Sequence, residues 1–264
     1  MNPLKTLNIT TRCTGVAQIT MARADVFNAF DDIMIGELDA AFDQLIGDEN
    51  VRIIVLAGDG KHFSAGADLK WMQRASNATV EWNLEDARKL AAMLGKIDTC
   101  PKPTLARVQG AALGGGTGLV CACDIAIAAD NASFAVSEAK FGILPSVIAP
   151  YVINAVGKRQ ARHLALTATR IDAIEALKTG LIQQVVGLDE LETAVDDTLQ
   201  QLLACGPNAQ SEIKKLFAQL GVGPVSEEIR ELTAQTISRV RVTKEAHEGF
   251  SAFLEKRPAK WIPE

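Results

Sequence analysis

The sequence has no excess of positive charge. Its 27 Lys and Arg are outnumbered by 32 Asp and Glu, giving a formal net charge of −5. Sequence-independent binding to nucleic acid needs basic faces that displace counterions, so that class of partner is excluded. A local basic pocket for a phosphorylated ligand remains compatible with this balance. Cysteine pairing signals are missing too. The five cysteines, Cys13, Cys100, Cys121, Cys123 and Cys205, are odd in number, and a chain of 264 residues does not need disulfide staples. Cys121 and Cys123 are two apart, which is not the spacing of a CxxC redox or zinc motif, and no His lies near them. Small buried thiols are expected, with no metal, flavin or nicotinamide site. The opening stretch MNPLKTLNITTRCTGVAQITM holds no apolar run long enough for a signal peptide or a membrane span, so a cytoplasmic protein with no membrane contact is expected.

Other absences narrow the chemistry. No GK[ST] ending follows a glycine-rich loop, and G-x-G-x-x-G fails because Leu119 stands where its last glycine would be. Ser64 and Ser137 lack the GxSxG pattern of a serine hydrolase. His62, His163 and His247 share no spacing and read as surface or packing residues. There is no internal repeat and no low-complexity linker.

What is present is a 48% hydrophobic, 22% charged chain, enough to bury a real core as one large domain or one domain with a helical appendage. Strand-like runs at 16–21 (VAQITM), 51–57 (VRIIVLA), 104–108 and 124–129 (DIAIAA) alternate with helical patterns at 31–46 and 85–97. The order β-α-β-α predicts helices packed on a mostly parallel sheet, and the near-continuous apolar run at 51–57, interrupted by Arg52 alone, predicts a strand buried on both faces. After 133–135 the strand signals thin. Helices are predicted at 145–156, 160–167, 171–179, 191–204, 209–220 and 227–253, with a late strand at 181–186.

Two turns stand out. Residues 110–118 read GAALGGGTG between a strand and a helix, where Gly114, Gly115 and Gly116 permit a sharp turn and close approach of a ligand. Helix N-termini offer unpaired N–H groups and partial positive charge to an anion or oxyanion. The second turn lies in 63–70, FSAGADLK, just after the buried strand. Ligands in open α/β sheets usually bind at that end of the strands. Each turn alone is equally an ordinary strand-to-helix connection. Together they could aim two N–H groups at one oxygen.

Several spaced motifs in order carry a family resemblance. They are FNAF at 27–30, HFSAGADLK at 62–70, GAALGGGTGLVCACDIAIA at 110–128, FAVSEAKFGILP at 134–145 and EGFSAFLEKRPAKW at 248–261. Across nearly the whole chain the sequence resembles the crotonase (enoyl-CoA hydratase/isomerase) family. The resemblance implies a crotonase-like α/β fold, a repeated β-β-α superhelix core over 1–205 followed by a C-terminal helical trimerisation region over 206–264. It implies that the amides of Ala67 and Gly115 form an oxyanion hole for a thioester carbonyl. Val26, Phe27, Ala65, Asp68 and Leu69 would line the coenzyme A site, largely through backbone contacts. Phe253 and Lys256 would reach the coenzyme of a neighbouring subunit in a homo-trimer or dimer of trimers. Coenzyme A would be part of the acyl-CoA substrate, with no separate cofactor and no metal.

The resemblance also carries a departure. Family hydratases commonly use two carboxylates; the first position falls here on Gly118 and the second on Glu138. A single carboxylate suffices for moving a proton between carbons, and it could also serve hydration. Glycine at 118 with GILPSVIAPYV at 142–152 looks most like bacterial methylglutaconyl-CoA and isohexenylglutaconyl-CoA hydratases. That implies hydration of a branched enoyl-CoA, carboxylated in the case of 3-methylglutaconyl-CoA. A double-bond isomerase and a weakly active acyl-CoA-binding assembly subunit are the alternatives. Outside the family context Glu138 reads as a helix-start carboxylate with Ser137 as cap. Asp124 reads as structural, and Arg23 and Lys70 as phosphate contacts or solvated charges.

Overall fold

The computed structural model describes residues 4–263. Leu7–Thr11 (β1) turns back through Gly15, at φ +87°, onto Val16–Met21 (β2), and so short a connection makes the pair antiparallel. Ile53–Gly58 (β3), Thr104–Val108 (β4), Ile125–Ala129 (β6) and Gln184–Val186 (β9) add in parallel, giving the order β1-β2-β3-β4-β6-β9. A second sheet holds Ala111–Leu113 (β5), Ser133–Ala135 (β7) and Ile171–Asp172 (β8).

Helical crossovers supply the parallel connections. They are Asp32–Gly47 (α1) between β2 and β3, Leu69–Ser76 (α2) and Val80–Asp98 (α3) between β3 and β4, and Gly115–Ala122 (α4) before β6. Ala149–Thr167 (α5), Ala173–Thr179 (α6), Leu191–Ala204 (α7), Pro207–Phe217 (α8), Glu227–Arg241 (α9) and Lys244–Glu255 (α10) follow. Strand alternation sorts the core. Ile54, Leu56 and Ala106 belong to the main cluster with residues of α1, α3 and α4, whereas Ile53, Val55, Leu105 and Ile127 join Leu191, Val195 and Leu199 of α7. That two-sided burial is why the sequence is continuously apolar from Ile53 to Ala57.

The chain repeats a pattern of long strand, short extended segment and helix. After β2, Phe30 bridges Ala67; after β3, Ser64 bridges Ala112; after β4, β5 pairs with β7, all in parallel. The β-β-α repeat therefore stacks its strand-to-helix turns side by side, and this stacking positions the candidate site.

The elements differ from the sequence expectation in physically simple ways. β1 has only Leu7 buried, so it shows no apolar pattern. The helix expected over 85–97 starts at Val80, because the Thr79 hydroxyl caps the Trp82 N–H at 3.2 Å. The two helices expected over 145–167 are one, kinked at Gly157 (φ +75°) and starting at Ala149. The helix expected from 171 starts at Ala173, since Ile171 and Asp172 form β8 and the Asp172 carboxylate caps the Glu175 N–H at 2.8 Å. The long helix expected over 227–253 breaks into two, with Thr243 capping α10.

The thiols also differ: Cys100 is buried and Cys121 and Cys123 are half-buried, but Cys13 and Cys205 are exposed. Burial pushes the Cys121 thiol up to about 12. Asp124 accepts the Thr104 N–H and hydroxyl, both at 2.8 Å, and pairs with Lys214 at 2.6 Å, tying β4 to α8. Among the described residues no helix is long and apolar enough to cross a membrane, and no group of three or more His, Cys, Asp or Glu could hold a metal ion.

Candidate active site

The turn at 63–70 is built on Asn28. Phe27 and Asn28 both sit in the left-handed region, at φ +57° and +54°, a conformation that Asn tolerates and Phe does not favour. The fully buried Asn28 amide fixes it: Oδ1 accepts the Arg23 N–H at 3.0 Å, and Nδ2 donates to the carbonyls of Asp59 and His62, each at 2.8 Å. Asn28→Ala leaves those groups unpaired in the interior. It is expected to destabilise the fold by about 2–4 kcal/mol, read as a fall in the urea midpoint at unchanged m.

The same scaffold aims the Ala67 amide. Gly66 C=O and Asp68 N–H both face Phe30, with N–O distances of 2.8 and 3.0 Å, so strand alternation turns the Ala67 N–H to the opposite side. It donates to no group among the described residues. Gly66 adopts φ +86°, and a Cβ there would lie within 3.0 Å of the Leu113 carbonyl oxygen and 3.4 Å from the Gly115 nitrogen. The two turns are thus in contact, and only glycine permits it.

The glycine-rich turn at 110–118 opens α4. Gly114 has φ +52° and ψ −120°, and the first N–H of the helix, that of Gly115, has no partner among the described residues. A Cβ on Gly115 would overlap the Phe30 ring. Phe30 therefore spaces both turns, its backbone bracketing Ala67 and its ring seated on Gly115.

Glu138 begins a short 3₁₀ turn after β7, and its Oε1 lies 3.3 Å from where a Gly114 Cβ would be. Ser137 precedes it but makes no capping hydrogen bond through its side chain, so the cap expected from the sequence is absent. The Glu138 Oε2 is buried and has no hydrogen-bond partner among the described residues. Burial raises its pKa, only partly opposed by the nearby amides of Glu138 and Ser137. Ala67, Gly115 and Glu138 all line one cavity of about 480 Å³, whose remaining walls include Phe30, Trp71, Ile143 and Ile148. Position 118 lies under this wall. A Cβ there would overlap Ile148 Cγ2, so an isoleucine side chain occupies the space that a second carboxylate would need.

A raised carboxyl pKa has a signed consequence for stability. The favourable contribution of the protonated form is fully present below the ordinary glutamate value of 4.5 and is lost as pH rises through the folded-state value. Glu138→Gln is therefore expected to raise Tm near pH 8, with the gain shrinking as pH falls toward 4.5. An unchanged Tm difference across that range would contradict the assignment.

The other sequence-level candidates fall around this centre. Val26 is half-buried, Phe27 is 52% exposed and meets His62 edge-on at 5.1 Å, and Leu69 is 76% exposed beside the turn. Ala65 donates its N–H to the Phe27 carbonyl at 2.9 Å. Asp68 caps α2 at Lys70 and Trp71 and pairs with Arg23 at 3.0 Å. Burial works against its charge, but those hydrogen bonds and Arg23 hold its pKa below the usual carboxylate value. Arg23, which also donates to the Ala29 carbonyl and pairs with Asp31, is committed to the loop and is not a free phosphate contact. Lys70 is exposed at the start of α2. Phe253, 82% exposed, and Lys256, the left-handed cap of α10, lie in the C-terminal helical region.

Three supporting residues have roles that no spacing along the chain marks, although Asn28 and His62 lie within FNAF and HFSAGADLK. Besides Asn28, the buried Gln109 donates to the Gly58 and Gly60 carbonyls, and His62 Nδ1 accepts the Ala111 N–H at 3.0 Å. His62 is thus more than packing. Burial, with Lys61 and Arg170 nearby, lowers its pKa and favours that neutral acceptor.

Residues 11–263 match the family model described as enoyl-CoA hydratase/isomerase. A crystal structure of an enoyl-CoA hydratase from Shewanella pealeana superposes with a TM-score of 0.94 at 42% identity, covering 98% of this chain and 96% of that one. An enoyl-CoA hydratase/isomerase structure from Marinobacter aquaeolei gives a TM-score of 0.91 at 33% identity, covering 98% and 99%. The carnitinyl-CoA dehydratase of Citrobacter koseri is 33% identical over 267 aligned positions, covering 95% of this chain and 96% of the relative.

Proposed function

The chain belongs to the enoyl-CoA hydratase/isomerase family, and from that premise we propose that it hydrates a branched enoyl-CoA with one catalytic carboxylate. Acyl-CoA thioesters are the substrates expected of such an enzyme. In the forward direction Glu138 takes a proton from water as its oxygen bonds to the β-carbon. The double-bond electrons move onto the thioester oxygen, and the amides of Ala67 and Gly115 stabilise the resulting enolate. The Glu138 carboxyl then gives its proton to the α-carbon as the carbonyl reforms. Donors fixed where charge develops stabilise the enolate more than the neutral carbonyl, and the helix terminus at Gly115 adds a smaller dipole contribution. A separate cofactor is not required by these steps, because coenzyme A is part of the substrate.

The observation that supports this reading is the shared cavity of Ala67, Gly115 and Glu138, with the buried Glu138 Oε2 unpartnered among the described residues. Its volume of about 480 Å³ has room for a branched chain. The carboxylate of 3-methylglutaconyl-CoA is a poorer fit: the described lining contains Asp86 and Glu138 but no Lys, Arg or His. An uncharged branched chain fits better. Val26, Phe27, Ala65, Asp68 and Leu69 are proposed to border the coenzyme. The region 206–264 is proposed to assemble a trimer or dimer of trimers in the cytoplasm, with Phe253 and Lys256 reaching the coenzyme of a neighbour.

One observation favours a second reading. With Ile148 against Gly118 there is no second acid at that position to hold water, which suits double-bond isomerisation by Glu138 alone. An enoyl-CoA panel in ¹⁸O-labelled water, read by mass spectrometry, tests both. Hydration adds solvent oxygen to product; isomerisation moves the double bond without it. No change in any substrate would leave an acyl-CoA-binding subunit and overturn both.

A further inference from the structure

Asp86 is the acidic residue in the cavity that the proton-transfer scheme does not use. A chain of contacts sets its distance from the thioester seat. The Phe30 ring abuts Gly115, the Phe30 and Trp71 rings lie 6.2 Å apart, and Trp71 Nε1 donates to Asp86 Oδ1 at 3.2 Å. Asp86 therefore stands two aromatic rings along one wall from the Gly115 amide, where the far part of an acyl chain would run.

Its neighbours leave it spare capacity. Asn83 donates its amide to the carbonyls of Ala75 and Thr79, and Ser76 donates to that of Gln73, so both are used within the α2–α3 connection. Asp86 Oδ2 accepts no hydrogen bond among the described residues. Burial raises the Asp86 pKa and Asp32 adds to this, against the Trp71 indole, Lys89 and Arg74. Of the two cations, Arg74 is paired with Asp32, and exposed Lys89 is not part of the cavity wall.

We propose that Asp86 reads the far end of the acyl chain, accepting a hydrogen-bond donor such as a hydroxyl or ammonium group and repelling a carboxylate. The inference rests on the reading that this cavity holds the acyl chain of an enoyl-CoA. A donor there finds the unused Oδ2, whereas a carboxylate meets like charge with no base in the wall.

Saturated acyl-CoAs of one chain length, ending in methyl, hydroxyl or carboxylate, test this by calorimetric Kd without requiring turnover. The wild type is expected to bind the hydroxyl-ended chain at least as tightly as the methyl-ended one, and the carboxylate-ended chain about 10-fold or more weakly. Asp86→Asn keeps an acceptor for Trp71 and should bring the carboxylate-ended chain to within about twofold of the methyl-ended one. Asp86→Lys should make it the tightest of the three. Equal Kd values for the methyl and carboxylate chains in the wild type, or an order unchanged by both substitutions, overturn the proposal. Turnover of the enoyl-CoA panel, branched substrates included, measured alongside separates the two ideas: the Kd order without turnover of any substrate sinks the enzymatic reading and keeps the selectivity, while turnover without the Kd order does the reverse.

Discussion

Glu138→Gln is expected to lower kcat by about 10²–10⁴ while leaving KM within about twofold, because general acid–base catalysis typically contributes that much. The substitution is nearly isosteric, so the half-buried side chain keeps its place beside Gly114 and the two amides keep theirs. Substrate binding should persist while proton transfer fails. Stopped-flow or steady-state assays on the preferred enoyl-CoA separate these parameters. A raised KM with unchanged kcat would make Glu138 a binding residue and remove it from the chemistry. The gain in Tm near pH 8 should accompany the loss of rate, since both follow from a carboxylate kept desolvated for use.

Gly66→Ala is the second large effect. Gly66 is at φ +86° and its Cβ would intrude to within 3.0 Å of the Leu113 oxygen. Left-handed backbone and a clash against main chain both push the turn away from Gly115, and the Ala67 N–H moves with it. Losing one oxyanion donor typically costs ~10²–10³ in rate, so kcat/KM should fall by about that factor. Circular dichroism and thermal melting would show whether the folded state persists, and the Ala67 donor should be lost even in chains that remain folded. A Gly66→Ala enzyme with near-normal kcat/KM would show that the Ala67 amide does not serve the reaction.

Much of this site can be read along the chain, and the unread part has a common cause. β2 and β4 match their expected spans residue for residue because their apolar runs have no competing helical period. α1 is marked by Asp31, whose carboxylate caps Ile33 and Met34 as its position suggests. The glycine turns are visible because their backbone conformations require that residue. β5 is hidden inside the glycine-rich run, since its pairing with β7 is a tertiary fact. Asn28, Gln109 and His62 support the turns through bonds to main chain 31–51 residues away, which leave no local pattern. The absence of an acid at Gly118 is plain in the sequence. Its cause, Ile148 filling the space, requires the fold. Asp86 reads in sequence as one more charge on a helix, and only the bond from Trp71 ties it to the cavity wall.

Whether the Ala67 and Gly115 amides converge on one thioester oxygen is reported most directly by the carbonyl itself. A saturated acyl-CoA labelled with ¹³C at the thioester carbonyl gives an isotope-edited infrared stretch free of protein bands. Bound to the wild type and to Glu138→Gln, the band should move to lower frequency than in water, and the shift should shrink or vanish in Gly66→Ala. A carbonyl band unshifted on the wild-type protein would contradict that convergence, whatever the reaction proved to be.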